Sequence, residues 1–297
     1  MNSMNYLDLA QIHWLYYAVD FLLLLLLVAG FRLFANGQQS LDKQLAEDDN
    51  FAMGITVAGA LVSIAIMLMG VSSGTVAVSL WWEALFVGSY GVLGIVLMLL
   101  TRQIFDYFSF PNLSIPQQIK QHNIAVGLVD AGNMIASAII IRAVMLWVED
   151  DSSWGLLWVL AGFIASQMIL WLVTAYRRWL FRQRHPDNSL QSEIAQGNIA
   201  LAIRFAGNRI GVALAITVTS SLVIFQTHNL WILAGLWVGV ALLLFIAQTL
   251  VSILVRMVFL SHINLGEEII NQKNVALGAI QAAIYIAVGS IFIGLFA

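Results

Sequence analysis

The chain has 297 residues, 61% hydrophobic and only 10% charged, with a net charge of −3 and a mean hydropathy of +0.88. Soluble domains carry about 25% charged residues, so this is the composition of a protein embedded in a membrane. The absence of cysteine excludes a disulfide framework and thiolate-held metal or iron–sulfur centres, and no basic cluster interleaves with aromatics, which leaves nucleic-acid binding unsupported.

A helix needs about 20 mostly apolar residues to cross hydrocarbon. Eight segments meet that requirement: about 12–34, 50–70, 81–104, 123–147, 154–180, 198–225, 230–258 and 274–296. Runs this long, without ten-residue alternation, are helices and not barrel strands. The first has no Lys or Arg ahead of it and no small-residue cleavage site, so it reads as a spanning helix and not a removable signal. It carries an acid, Asp20.

The second segment opens a motif that recurs three times. Asn50, Asn123, Asn198 and Asn274 begin NFAMGITVAG, NIAVGLVDAG, NIALAIRFAG and NVALGAIQAA, spaced 73, 75 and 76 residues apart. Each copy has Ala at +2, Gly or Ala at +4, Ala at +8 and Gly or Ala at +9. Such a period defines four units in a single transmembrane domain 1–297, approximately 1–72, 73–148, 149–225 and 226–297. Each unit is an odd-numbered helix, a polar connection and an Asn-bearing helix. The expected fold is therefore an all-α integral membrane protein. Its eight transmembrane helices form four parallel two-helix repeats with pseudo-symmetry about the membrane normal, arranged as a ring or as two stacked pseudo-dimers.

Within the motif, Gly54, Gly127 and Gly278, and Ala202 in the third copy, pair with the Ala four residues on. Small residues at that spacing let membrane helices approach closely. The Asn reads either as an interhelical hydrogen-bonding group or as one of a ring of amides at a vestibule. Upstream, Ser114-x-x-Gln117, Asn188-x-x-Gln191 and Asn264-x-x-Glu267 have the capping-box pattern. On that reading the even helices start about two and a half turns before each Asn and run through it.

Ten of the thirteen Lys and Arg residues flank the connections after helices one, three, five and seven. By the positive-inside rule those connections are cytoplasmic and both termini lie outside.

Charges inside the spans break the repeat. Asp130 stands in helix four and Arg204 and Arg209 in helix six, with Asn133 and Asn208 each ten residues after their motif Asn. A buried charge costs several kcal/mol unless paired, and two acids, Asp20 and Asp130, match the two arginines. The resulting mid-membrane patch is either a salt bridge fixing repeat order or a cluster handling protons, ions or an anionic lipid group. The five histidines are scattered, and no phosphate loop, nucleophile elbow or paired catalytic acid appears. No catalytic residue, metal, cofactor or enzyme activity is expected.

The motif N-x-A-x-G-x-x-x-A-G, following an acid or amide, is fullest in Glu47 to Gly59 and Gln121 to Gly132. With the Arg-terminated apolar helix before it, it resembles the bacterial membrane family known as domain of unknown function 350, in tandem copies along the whole chain. The fourth copy departs, with Ala283 in place of the final Gly. The resemblance implies an inner-membrane location and a link to envelope maintenance alongside phage-shock-type and peptide-ligase-like proteins. The expected function is a non-enzymatic scaffold or partner-binding component. The alternative is an ion or small-solute channel or transporter using Asp130, Arg204 and Arg209. The expected partners are membrane lipids, cytoplasmic or membrane proteins, and further copies of the chain.

Overall fold

The computed structural model describes residues 41–71, 80–111, 113–148, 154–186, 188–225 and 230–296, and most of 14–30. Among these residues seven helices are long and apolar enough to cross a membrane. The eighth expected span falls partly outside the described residues, as does Asp20; its apolar stretch Tyr17–Gly30 places Leu27 against Gly91.

Four short helices, each preceding a motif Asn, are α1 (Lys43–Glu47), α4 (Ile115–Lys120), α7 (Leu190–Ala195) and α10 (Glu267–Asn271). The long helices that follow the Asn residues are α2 (Phe51–Val71), α5 (Ile124–Trp147), α8 (Ile199–Thr217) and α11 (Val275–Phe296). Between them run α3 (Leu80–Ile104), α6 (Trp154–Arg184) and α9 (Leu230–Phe259).

The expectation of one continuous helix through each Asn is overturned. Every short helix ends three residues before its Asn, and the residue directly ahead of the Asn has left-handed backbone: Asp49 (φ 47°), His122 (φ 63°), Gly197 (φ 80°) and Lys273 (φ 52°). A left-handed residue terminates a helix and turns its last amides back onto the preceding carbonyls. His122 N donates to Ile119 O and Asn123 N to Gln118 O, both at 3.0 Å; Gly197 and Asn198 repeat the pattern on Ile194 and Glu193. In the first and fourth copies the turn is one residue wider, with Asn50 N donating to Gln44 O and Asn274 N to Glu268 O. Asn then starts the next helix as its N-cap. Its Oδ1 accepts from the amide three residues on, Met53, Val126, Leu201 and Leu277 respectively.

The upstream caps also differ in detail. Ser189 and Ser192 form the capping box of α7 in place of Asn188 and Gln191, and Ser114 precedes α4 without a side-chain cap bond. Asn264 does accept from Glu267 N, at 3.4 Å.

The Asn-bearing helices form a row in which α2 packs on α5, α5 on α8, and α8 on α11, with α3, α6 and α9 along its flanks. A Cβ added to Gly59 would overlap Ala131, one on Gly132 would overlap Ala206, and one on Gly207 would overlap Ala282. So the Gly at +9 of one copy meets the Ala at +8 of the next, three times over. Because apolar burial does not distinguish lipid from protein, close backbone approach of this kind is a main source of attraction between membrane helices. Of the expected seam glycines, Gly127 lies against Ala52 O and Gly278 against Ala200 O, whereas Gly54 has only Leu45 Cδ2, 4.0 Å from an added Cβ. Gly54 is at the end of the row, with no preceding copy beside it among the described residues.

Candidate functional site: polar groups within and between the repeats

Each motif Asn has its polar atoms almost fully accounted for, and in the first three copies one of its bonds crosses to the following copy. Asn50 Nδ2 donates to Ile119 O (2.8 Å) and to Gln44 Oε1 (2.9 Å). Asn123 Nδ2 donates to Ala195 O and to Gln118 Oε1, both at 2.8 Å. Asn198 Nδ2 donates to Ile269 O (3.0 Å) and Glu193 Oε2 (3.2 Å). The acceptor in the next copy is each time a carbonyl near the C-terminal end of its short helix, where the last four carbonyls have no intrahelical donor. Asn274 Nδ2 donates to Glu268 Oε2 alone, at 2.9 Å, among the described residues.

The two ends of the row present the faces that are covered between the inner copies. Ala52, Ala125 and Ala200, at +2, are each 0% exposed, but Ala276 is exposed. Ile119, Ile194 and Ile270, four before the Asn, are buried, but Ala46 is exposed. Ala58, Leu45 and Leu61 complete the open face of the first copy, and Ala283 lies on that of the fourth.

The intramembrane charges do not pair as the sequence suggested. Asp130, fully buried, meets Arg102 of α3 at 3.0 Å, not Arg204 or Arg209. Arg102 looked like a loop-flanking charge because it stands near the helix end; the hairpin joining α3 to α5 brings it back beside Asp130. Arg209 is 2% exposed and is held by neutral groups. It donates to Asn133 Oδ1 at 2.6 Å, to Thr174 Oγ1 and to Leu170 O, and its guanidinium lies 4.8 Å from the Phe105 ring centroid. A delocalised guanidinium tolerates such a site because it is weakly hydrated and stacks on aromatic faces.

Asn208, on the same helix, is not brought to either charge. Both of its side-chain polar atoms are buried without a partner among the described residues, as are both of Gln281 on α11. Arg204 points elsewhere, into a cavity at the motif end with Arg177, Arg184, Arg256 and His185. Sequence reasoning missed that group. One signal was available: Arg102 and Arg177 both stand 21 residues before a motif Asn, which marks them as one repeat position. Among the described residues no three His, Asp or Glu side chains are grouped to hold a metal.

The profile of the family described as Domain of Unknown Function (DUF350) matches residues 6–145 and again 149–296. The chain belongs to the DUF350 family. Each DUF350 copy spans two of the four Asn motifs, so the family unit is itself a pair of the shorter repeats, and this chain is two units in tandem. No curated protein and no solved structure matches it.

Proposed function

We propose that this multi-pass membrane protein is a non-enzymatic scaffold of the inner membrane. Its eight spans are four helix pairs related about the membrane normal, its short helices lie on the cytoplasmic side, and its termini lie outside. Its end faces bind a second copy of the chain, extending the row within the membrane, and lipid covers the remaining apolar surface. One observation carries this reading: the same Asn-to-carbonyl and Gly-to-Ala interface is made three times inside the chain and left half-made at each end. A head-to-tail interface of this kind either closes into a ring or continues as a filament. The resemblance stated above connects such a scaffold to envelope homeostasis.

A second reading, a pathway for an ion or small solute, draws on Asn208 and Gln281, whose buried amides lack partners among the described residues and would be satisfied by water. Buried water does satisfy such groups in protein interiors. Purified protein in proteoliposomes decides between the two. The scaffold reading expects ion and solute flux no greater than in empty vesicles; flux that is lost in Asn208→Leu would overturn it in favour of a pathway.

A further inference from the structure

Four of the thirteen Lys and Arg residues of the chain converge on one cavity. Arg177 and Arg184 come from α6, Arg204 from α8 and Arg256 from α9, and His185 follows directly after α6. They surround about 120 Å³ at the motif end of the bundle, and no Asp or Glu lines it. That volume equals roughly four waters at about 30 Å³ each, room for a compact oxyanion.

The repeat explains how one of these cations, Arg177, comes to lack the carboxylate its counterpart has. Arg177 is the counterpart of Arg102, whose guanidinium meets Asp130. Seven residues after Asn198, where Asp130 has its counterpart, stands Phe205. Arg177 consequently meets no carboxylate among the described residues, and its guanidinium lies 4.8 Å from the Tyr285 ring centroid instead. None of the other three arginines makes an ion pair among the described residues. Like charges gathered at a membrane boundary repel unless an anion sits among them. Guanidinium groups bind phosphate oxygens in pairs, which suits a multiply charged tetrahedral anion better than a lone carboxylate. Basic pockets between membrane helices on the cytoplasmic side hold lipid head groups by the same chemistry.

We propose that this cavity binds a phosphate group, from an anionic phospholipid head group or from a free phosphate, through Arg177, Arg184, Arg204 and Arg256. The site is independent of whether the protein is a scaffold or a pathway.

The test uses the full chain and two probes. In one arm, protein in phosphatidylcholine nanodiscs doped with cardiolipin is released and weighed by native mass spectrometry for retained lipid. In the other, inorganic phosphate is titrated onto detergent-solubilised protein by calorimetry. Wild type is compared with Arg204→Gln/Arg256→Gln, and with Arg182→Gln, an exposed arginine of α6 outside the cavity. At least one probe is expected to bind the wild type tenfold or more better than the double variant, with Arg182→Gln unchanged. Cardiolipin retention alone assigns the lipid, and phosphate affinity assigns the free anion. Should the double variant fail to fold, single Arg184→Gln takes its place. Equal binding by wild type and cavity variant, or an equal loss in Arg182→Gln, would overturn the proposal.

Discussion

The side-chain amide of Asn123 donates to the carbonyl of Ala195, 2.8 Å away and 72 residues further along the chain. That bond ties the cap of one spanning helix to the exit of the next short helix, and Asn50 and Asn198 make its equivalents. Replacing Asn123 or Asn198 by Ser keeps an N-cap oxygen but cannot reach the neighbouring copy. A loss of about 0.6–2 kcal/mol is expected in reversible unfolding from mixed micelles, the range for interhelical hydrogen bonds in membranes. Asn274→Ser is expected to lose less, because no inter-copy carbonyl is involved. Equal losses at all four positions would show the inter-copy bond to be energetically silent.

Glycines at the seam and at the open end should respond to alanine with opposite signs. Gly→Ala within a helix is favourable by up to about 1 kcal/mol where space allows, and Gly54 has that space. Gly132→Ala and Gly207→Ala would drive a methyl into Ala206 and Ala282, with an expected cost of about 1–3 kcal/mol from overpacking. The same micelle unfolding measurement reads both; stabilisation by Gly132→Ala would contradict the close approach.

Arg102 is expected to be the energetic partner of Asp130. Arg102→Met leaves a fully buried carboxylate without its cation, which costs about 3 kcal/mol or somewhat more. Pairing it with Asp130→Leu should restore most of the loss. A double-mutant cycle should give clear coupling between Arg102 and Asp130 and less than about 0.5 kcal/mol between Asp130 and Arg209. Strong coupling to Arg209 instead would overturn the pairing.

Apolar run length and the four Asn in register made the spans and the internal repetition readable from sequence, because both are consequences of local composition. What the short helices do at Asn was hidden by their own start signals: Ser114, Asn188 and Asn264 each read as a helix beginning, and carry no sign of its end. The sign of the end was the residue before each Asn. Only Gly197 announces a left-handed turn by type; Asp49, His122 and Lys273 adopt it directly ahead of an Asn that caps the next helix. The Arg102–Asp130 pair depends on how a hairpin closes between α3 and α5, and the convergence of Arg204 with Arg177, Arg184 and Arg256 depends on three helices at once. Neither leaves a trace in spacing along one helix.

The open end faces are tested most directly by cross-linking between copies. Inside the chain, position +9 of one copy meets position +8 of the next, as in Gly132 with Ala206. Between two chains the equivalent meeting is Ala283 of one with Ala58 of the other, and both are exposed within a single chain. The protein has no cysteine, so variants carrying only Ala58→Cys or only Ala283→Cys report without background. Oxidation of membranes containing both variants is expected to give a covalent dimer that neither variant gives alone. A mixture that stays monomeric, or Ala58→Cys cross-linking to itself as readily as to Ala283→Cys, would contradict a scaffold that grows head to tail.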